Sequence, residues 1–168
     1  NSNTATTTVT VLGVNDAPLL DLDANDSTSA GANFAATFTE DAGVVGIADV
    51  DATIADVDSS NMSSLTVTIT NLLDGTAESL DADVSGTSIA KSYDSGTGIL
   101  TLSGVDTIAN YQQVLRTVTY NNSDQDPNTT ARIITFVVND GSNNSNTATT
   151  TVTVLGVNDA PLLDLDAN

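Results

Sequence analysis

The residues in this chain with chemistry to offer are nearly all carboxylates and side-chain amides, and they come in short runs. Asn15-Asp16 stands before Ala17-Pro18, and Asp21-Leu22-Asp23 leads into Ala24-Asn25-Asp26. Glu40-Asp41 closes a Thr-containing run, IADVD occurs twice to supply Asp49, Asp51, Asp56 and Asp58, and Asn139-Asp140-Gly141 marks a late turn. Oxygen donors of this kind suit hard cations, and Ca2+ in particular where segments converge, since it takes about six to eight oxygen ligands. Two carboxylates at i and i+2 project to one side of an extended segment, so a D-x-D pair supplies part of such a shell and never all of it. For any single pair the plainer expectation is a strand's solvated outer face, with Leu22, Val50 or Val57 pointing inward. Three such pairs with almost no Lys or Arg beside them repel one another unless a cation neutralises them. The D-x-D-x-N run from Asp21 has the opening spacing of an EF-hand loop. However, Asp26 stands where that loop needs Gly and Ala32 where it needs Glu, which excludes it.

The charge balance points the same way. The chain carries 22 acidic residues, all but Glu40 and Glu78 being Asp, against Lys91, Arg116 and Arg132, for a net charge of −19. Such a surface repels nucleic acid and anionic membranes, so neither is an expected partner. Self-repulsion at this level destabilises the compact state unless something screens it, which leaves bound cations and a salt-adapted, solvated surface as the two explanations. No Cys is present, so disulfides, thiolate metal sites and a Cys nucleophile are excluded; no His is present either, which removes the commonest general base. Paired carboxylates hydrolyse glycosides when about 5 Å apart in a pocket that raises one pKa. Here the acids lie in turns, so the expectation is a protein that is not an enzyme and takes no small-molecule substrate. No run is apolar enough for membrane insertion, and no signal peptide is visible.

The elements that must position these groups are strands. Leu65, Val67 and Ile69 alternate with Thr66, Thr68 and Thr70, giving one apolar and one solvated face. Ser88–Tyr93 and Ile99–Leu102 flank the turn Asp94–Gly98, and Arg132–Asn139 and Thr147–Leu155 flank the turn Asn139–Asn143, as two hairpins. Asn33–Thr39 and Val44–Ala48 are further strand candidates. One segment departs from alternation: Thr107–Arg116 places Ile108, Tyr111 and Leu115 at i, i+3 and i+7, with Asp106 where an N-cap belongs. The expected fold is all-β, a Greek-key β-sandwich with one short helix near 107–116 packed as a lid on the core.

One feature governs organisation. Asn1–Asn25 and Asn144–Asn168 are identical, so VNDAPLLDLDAN occurs at Val14–Asn25 and again at Val157–Asn168. The simplest explanation is a tandem array of near-identical domains whose units contact their neighbours in series. On that basis 1–13 is the terminal strand of a preceding repeat, left as an orphan, 14–157 is one repeat domain, and 158–168 is a linker and the start of the next. The two copies of the closing strand compete for one position, and the second is expected to be docked because its hairpin turn is local.

Val14-Asn15-Asp16-Ala17-Pro18 resembles the interdomain linker of cadherin-type domains and of bacterial cadherin-like repeats. LSGVDTIANYQQVLRTVTYNN at Leu102–Asn122, followed by ARIITFVVNDG at Ala131–Gly141, is similar to extender repeats of the giant repetitive RTX-type adhesins of bacteria. The likeness runs across essentially the whole unit. Two differences stand out: nothing matches the LDRE-type motif of animal cadherins, and no second Asn follows the linker Asp. The resemblance implies a Ca2+-rigidified extender that holds a distal adhesive domain away from the cell, extracellular at the bacterial surface, with identical repeats of the same chain as its partners. It implies Asn15 and Asp16 with Asp49, Asp51 and Asp140 as ligands at the upstream end. It implies Glu40 and Asp41 with Asn158 and Asp159 at the downstream end, and Asp21 and Asp23 as an additional site near the linker. Asp56 and Asp58 have no counterpart. The alternative is a Ca2+-dependent binding module recognising a glycan or a surface protein, although three Phe, three Tyr and no Trp leave few rings on which a sugar could stack.

Overall fold

A computed structural model describes residues 1–161. Alternation builds the principal sheet, whose six strands run in the order β2 (Phe34–Thr39), β11 (Ala148–Leu155), β10 (Arg132–Asn139), β5 (Asn61–Ile69), β8 (Ile99–Thr107) and β7 (Ala90–Asp94). All pairs are antiparallel except β11 with β2, which run parallel. A three-stranded sheet of β3 (Val45–Gly46), β9 (Thr119–Asn122) and β6 (Glu78–Asp81) faces it, and β1 (Leu19–Asp21) pairs with β4 (Thr53–Ala55) as a small flanking ribbon. The protein is an all-β sandwich, with one short α-helix among the described residues. The chain passes back and forth between the two larger sheets, so that neighbours such as β5 and β10 are remote in sequence.

The core is the set of inward positions. Leu65, Val67 and Ile69 of β5, Leu100 and Leu102 of β8, Ile134, Phe136 and Val138 of β10, and Val152 and Val154 of β11 are all buried. Each such side chain contributes about 1.5–3 kcal/mol by leaving water. Phe38 meets Tyr120 of the opposite sheet edge-on, with ring centroids 5.4 Å apart. The helix α1 (Ile108–Leu115) buries Tyr111, Val114 and Leu115 against the sandwich. It is tied down by the Tyr111 hydroxyl, which donates to the Gly104 carbonyl at 2.7 Å, and by Gln112, whose Oε1 accepts the Ile54 N–H at 2.8 Å. Its N-cap is Thr107, whose hydroxyl accepts the Asn110 N–H, and not the expected Asp106. Asp106 lies one residue earlier and holds the Thr107 and Ser88 N–H groups and the Asn110 amide, each at 2.7 Å.

Several strand boundaries differ from expectation for identifiable reasons. Val44–Ala48 reduces to a two-residue strand, Val45–Gly46, beyond which the pairing with β9 persists only as the in-register bond from the Ile47 N–H to the Val118 carbonyl at 3.0 Å. The first hairpin arm is Ala90–Asp94, since Thr87 bonds back to the Val84 carbonyl in the preceding turn and the Ser88 N–H goes to the Asp106 carboxylate. β1, β4, β6 and β9 were not expected at all. They are only three or four residues long, too short to show alternation.

One charged cluster lies inside. Arg132 occupies an inward position of β10 and is fully buried. Its guanidinium pairs with Glu78, also fully buried, and with Asp74 at 2.6 Å, and donates to the carbonyls of Asn128 (2.8 Å) and Thr130. Tyr120 donates its hydroxyl to Glu78 at 2.7 Å, and the Asn122 amide donates to Asp74 at 2.6 Å. Both burial and the charge–dipole contact with Glu78 push the Tyr120 hydroxyl far above its ordinary pKa.

Candidate metal centres

The D-x-D pairs share one local geometry, and it is not a strand face. Asp21 accepts the Asp23 N–H at 3.0 Å, Asp49 the Asp51 N–H at 3.1 Å, and Asp56 the Asp58 N–H at 3.0 Å, each through Oδ1. These are Asx turns, in which the first carboxylate replaces a backbone acceptor. The outer-face expectation therefore fails at two of the three pairs: Val50 and Val57 are 82% and 83% exposed, and only Leu22 is buried. The turns place these acids in two groups, and a third group forms without them.

The first group gathers Asp23, Asp49 and Asp51, with one carboxylate oxygen of each lying within 4.8 Å of the others. Asp23 is fully buried and heavily bonded: Oδ1 accepts the Ser27 N–H and hydroxyl, and Oδ2 accepts the Thr28 N–H and hydroxyl, both at 2.7 Å, and the Ser29 N–H. Burial alone would raise its pKa, but the Thr28, Ser27 and Ser29 donors outweigh it and hold the carboxyl well below the usual range. Asp51 accepts the Ala24 N–H at 3.1 Å. Asp21 stays at the edge of this group through its bond to Asp23.

The second group lies at the upstream end of β11. Asn15 donates its amide to Asp140 at 2.8 Å, Asn143 donates its amide to the Asn15 carbonyl at 3.0 Å, and the Asp16 N–H donates to Asp58 at 3.1 Å. Asp140 is held below its ordinary pKa by the Asn143 N–H, the Asn15 amide and the Ser142 N–H. Asp56 is held below its own by the Ser59 and Asp58 N–H groups, against burial and the repulsion of Asp140. Asp56 Oδ2 is buried with no hydrogen-bond partner. Asp56 and Asp58, which the family resemblance left unassigned, thus stand beside Asn15, Asp16 and Asp140. Asp49 and Asp51, expected here, gather instead around Asp23. Among the described residues neither Asp16 nor Asp140 belongs to a group of three carboxylates within such reach of one another.

The third group lies at the far end of the same strand. Glu40, Asp41 and Asp159 offer oxygens within 4.8 Å of one another. Glu40 is 3% exposed; its Oε2 accepts the Val157 N–H at 2.7 Å, while its Oε1 is buried with no partner. Asp41 is held in the left-handed region, φ 61°, two residues after the end of β2, a conformation Asp tolerates better than most residues. Asn158 donates its amide to the Asp159 carbonyl, as Asn15 does to that of Asp16. Second-copy Asp164 and Asp166 lie outside the described residues.

None of the three basic side chains serves these groups. Lys91 pairs with Asp81 at 2.6 Å, Arg132 is committed to the core, and Arg116 donates to the Ala52 carbonyl at 2.9 Å. The first and third groups bring three carboxylates close enough to hold a metal ion, and the donors of all three groups are oxygen, as a hard cation prefers. Glu40 Oε1 and Asp56 Oδ2 are the two buried side-chain polar atoms left without a partner among the described residues. They fall at opposite ends of the domain, each beside one copy of the Asn-Asp linker.

No protein-family model matches the chain. A segment is 42% identical over 78 residues to halomucin of Haloquadratum walsbyi, covering 44% of this chain and 1% of that protein. The chain therefore corresponds to a very small part of the relative it matches. No helix among the described residues is long and apolar enough to cross a membrane.

Proposed function

We propose that the unit is a Ca2+-rigidified extender repeat of a large surface protein, with identical neighbouring repeats as its partners. The observation that carries this is the placement of the two unpartnered buried carboxylate oxygens, Glu40 Oε1 and Asp56 Oδ2, at the two ends where the linker copies Asn158-Asp159 and Asn15-Asp16 join the sandwich. Burying a polar group without a partner costs free energy, and a divalent cation is a partner that would remove that cost for carboxylates lacking a basic neighbour. Glu40, Asp41 and Asp159 would hold the ion at the downstream end. Asn15, Asp16, Asp56, Asp58 and Asp140 are the donors available at the upstream end, and Asp23, Asp49 and Asp51 those of an internal site. The bound ion would supply no reaction; it would tie linker to domain and fix the angle between successive units. The likeness to part of halomucin and the all-β architecture fit a surface repeat in general terms.

Small-angle scattering on two units in tandem tests the mechanism. The expected result is an extended rod in about 10 mM Ca2+, well above the affinities of extracellular calcium modules, and a flexible pair in chelator. Identical profiles in both conditions would remove the calcium joint.

A further inference from the structure

Asn1–Leu12 and Asn144–Leu155 are the same residues in the same order, yet they stand in opposite environments. Val152 and Val154 are 0% and 1% exposed in β11, whereas their counterparts Val9 and Val11 are 79% and 87% exposed. Thr150 is buried and donates its hydroxyl to the Ile47 carbonyl at 2.6 Å, while its counterpart Thr7 sits in exposed backbone with no regular structure. Among the described residues, Asn1–Val14 make no hydrogen bond except that of the Ser2 hydroxyl to the adjacent Asn3 carbonyl. This segment thus carries a strand's full pattern of alternating apolar residues with nothing to pair it.

The position it matches is filled on both sides. β11 lies between β10, paired from Arg132↔Val152 to Phe136↔Ala148, and β2, paired from Thr150↔Phe34 to Leu155↔Thr39. The segment cannot enter that position in its own domain, for a reason of length. Docked in register, Leu12 would occupy the place of Leu155, where the Glu40 N–H donates to the Leu155 carbonyl. Asn15, three residues later, is held at the other end of β11 by Asp140 and Asn143. Leu20 is held there too, because Asn146 exchanges both of its amide hydrogen bonds with the Leu20 backbone at 2.8 Å. From Ala148 to Leu155 the strand runs about 23 Å at ~3.3 Å per residue. Three residues of extended chain reach only about 11 Å.

We infer that Asn1–Leu12 is a donor strand for the β11 position of a second unit of this sequence, and never of its own. The partner is identified by self-complementarity: the slot is lined by β2 and β10 of an identical unit, whether upstream in the same chain or on another molecule. This deepens the repeat reading, naming what each unit hands to its neighbour, but it does not involve the cation groups. The strand completes one sandwich while the linker that follows it starts the next, so adjacent units are joined through a shared covalent strand-to-linker segment rather than through a face-to-face contact alone.

The test uses the full chain in chelator, so that its failure leaves the calcium joint untouched. Val152→Asp together with Val154→Asp disables the resident strand and leaves Asn1–Leu12 intact. Light scattering should then show a mass at least twice that of the wild-type monomer, growing with concentration as head-to-tail association predicts, with strand circular dichroism retained. Adding Val9→Asp and Val11→Asp should return the monomer mass and abolish the strand signal, and a synthetic peptide of Asn1–Gly13 at millimolar concentration should restore that signal. A folded monomer of the first variant would show that the segment fills its own slot and would overturn the inference. So would association that survives the Val9 and Val11 changes, or an unfolded monomer that the peptide does not rescue.

Discussion

Glu40→Gln separates a cation site from a merely acidic surface, because its expected effect changes sign with calcium. Without the ion, Glu40 is a carboxylate 3% exposed, with one bonded oxygen and one unpartnered, near Asp41 and Asp159. An unsatisfied buried polar atom costs about 1–3 kcal/mol. Gln keeps a carbonyl oxygen to accept the Val157 N–H, removes one of three clustered negative charges, and brings an amide whose donors face Asp41 and Asp159. In chelator the variant is therefore expected to be as stable as the wild type or about 1 kcal/mol more so. With calcium the order reverses. An ion that binds only the folded state at a hundred times its dissociation constant adds about 2.7 kcal/mol. For a domain of this size each kcal/mol moves the melting temperature by about 2–4 °C, so the wild type should gain about 5–11 °C that Glu40→Gln lacks. Circular-dichroism melts of both proteins in chelator, in millimolar CaCl2, and in NaCl of matched ionic strength measure this, the last separating binding from screening. Equal calcium-induced rises in the two proteins would refute the assignment of Glu40. Equal rises in CaCl2 and matched NaCl would point instead to a salt-adapted surface.

Other substitutions probe the scaffold. Arg132→Met leaves Glu78 and Asp74 buried without their cation and should cost about 3–5 kcal/mol in urea unfolding, part of which Glu78→Gln in the same chain should recover. Gly104→Ala meets the Ser88 carbonyl oxygen, 2.7 Å from the added Cβ, at φ +127°, and should destabilise by about 1–3 kcal/mol; a neutral result would mean that β8 relaxes there. Asp106 is held below its ordinary pKa by the Ser88 and Thr107 N–H groups, so its folded form binds a proton less readily than its unfolded form. Its contribution to stability is then complete above the unfolded value of about 4 and is lost as the pH falls toward the depressed native value. The stability gap between wild type and Asp106→Asn should accordingly shrink between neutral pH and about pH 3, and a gap independent of pH would show that the carboxylate's charge is not what matters.

The long strands were legible because each buries one face, so β5, β10 and β11 print their alternation directly on the sequence, and α1 prints its own period in Ile108, Tyr111 and Leu115. Two kinds of information were not. The burial of Arg132 and Glu78 is not visible in the sequence, since nothing local says that a β10 position continuous with Ile134 and Phe136 should be Arg; only the meeting of two sheets supplies its partners. The grouping of the acids was hidden for a related reason. A D-x-D was expected to act as a pair projecting from one face, whereas in each of the three turns the first Asp is partly consumed in holding the N–H of the second. Which acids meet is then decided by where the turns are anchored: Asp49 follows the bond of its own N–H to the Leu22 carbonyl and so joins Asp23. Asp58 takes the Asp16 N–H and so joins the linker, in the place expected for Asp49 and Asp51. The same logic makes Asp56 the more informative residue of its turn. Its Oδ1 is occupied by the Asp58 and Ser59 N–H groups, yet its Oδ2 stays buried and free. Asp56→Asn should therefore preserve the turn while weakening any calcium-induced stiffening of the upstream joint. Asp58→Asn should loosen Asp16 in chelator and in calcium alike. Scattering profiles of tandem units carrying each change distinguish the two, and a shared response from both variants would mean that this end of the domain is held by hydrogen bonds alone.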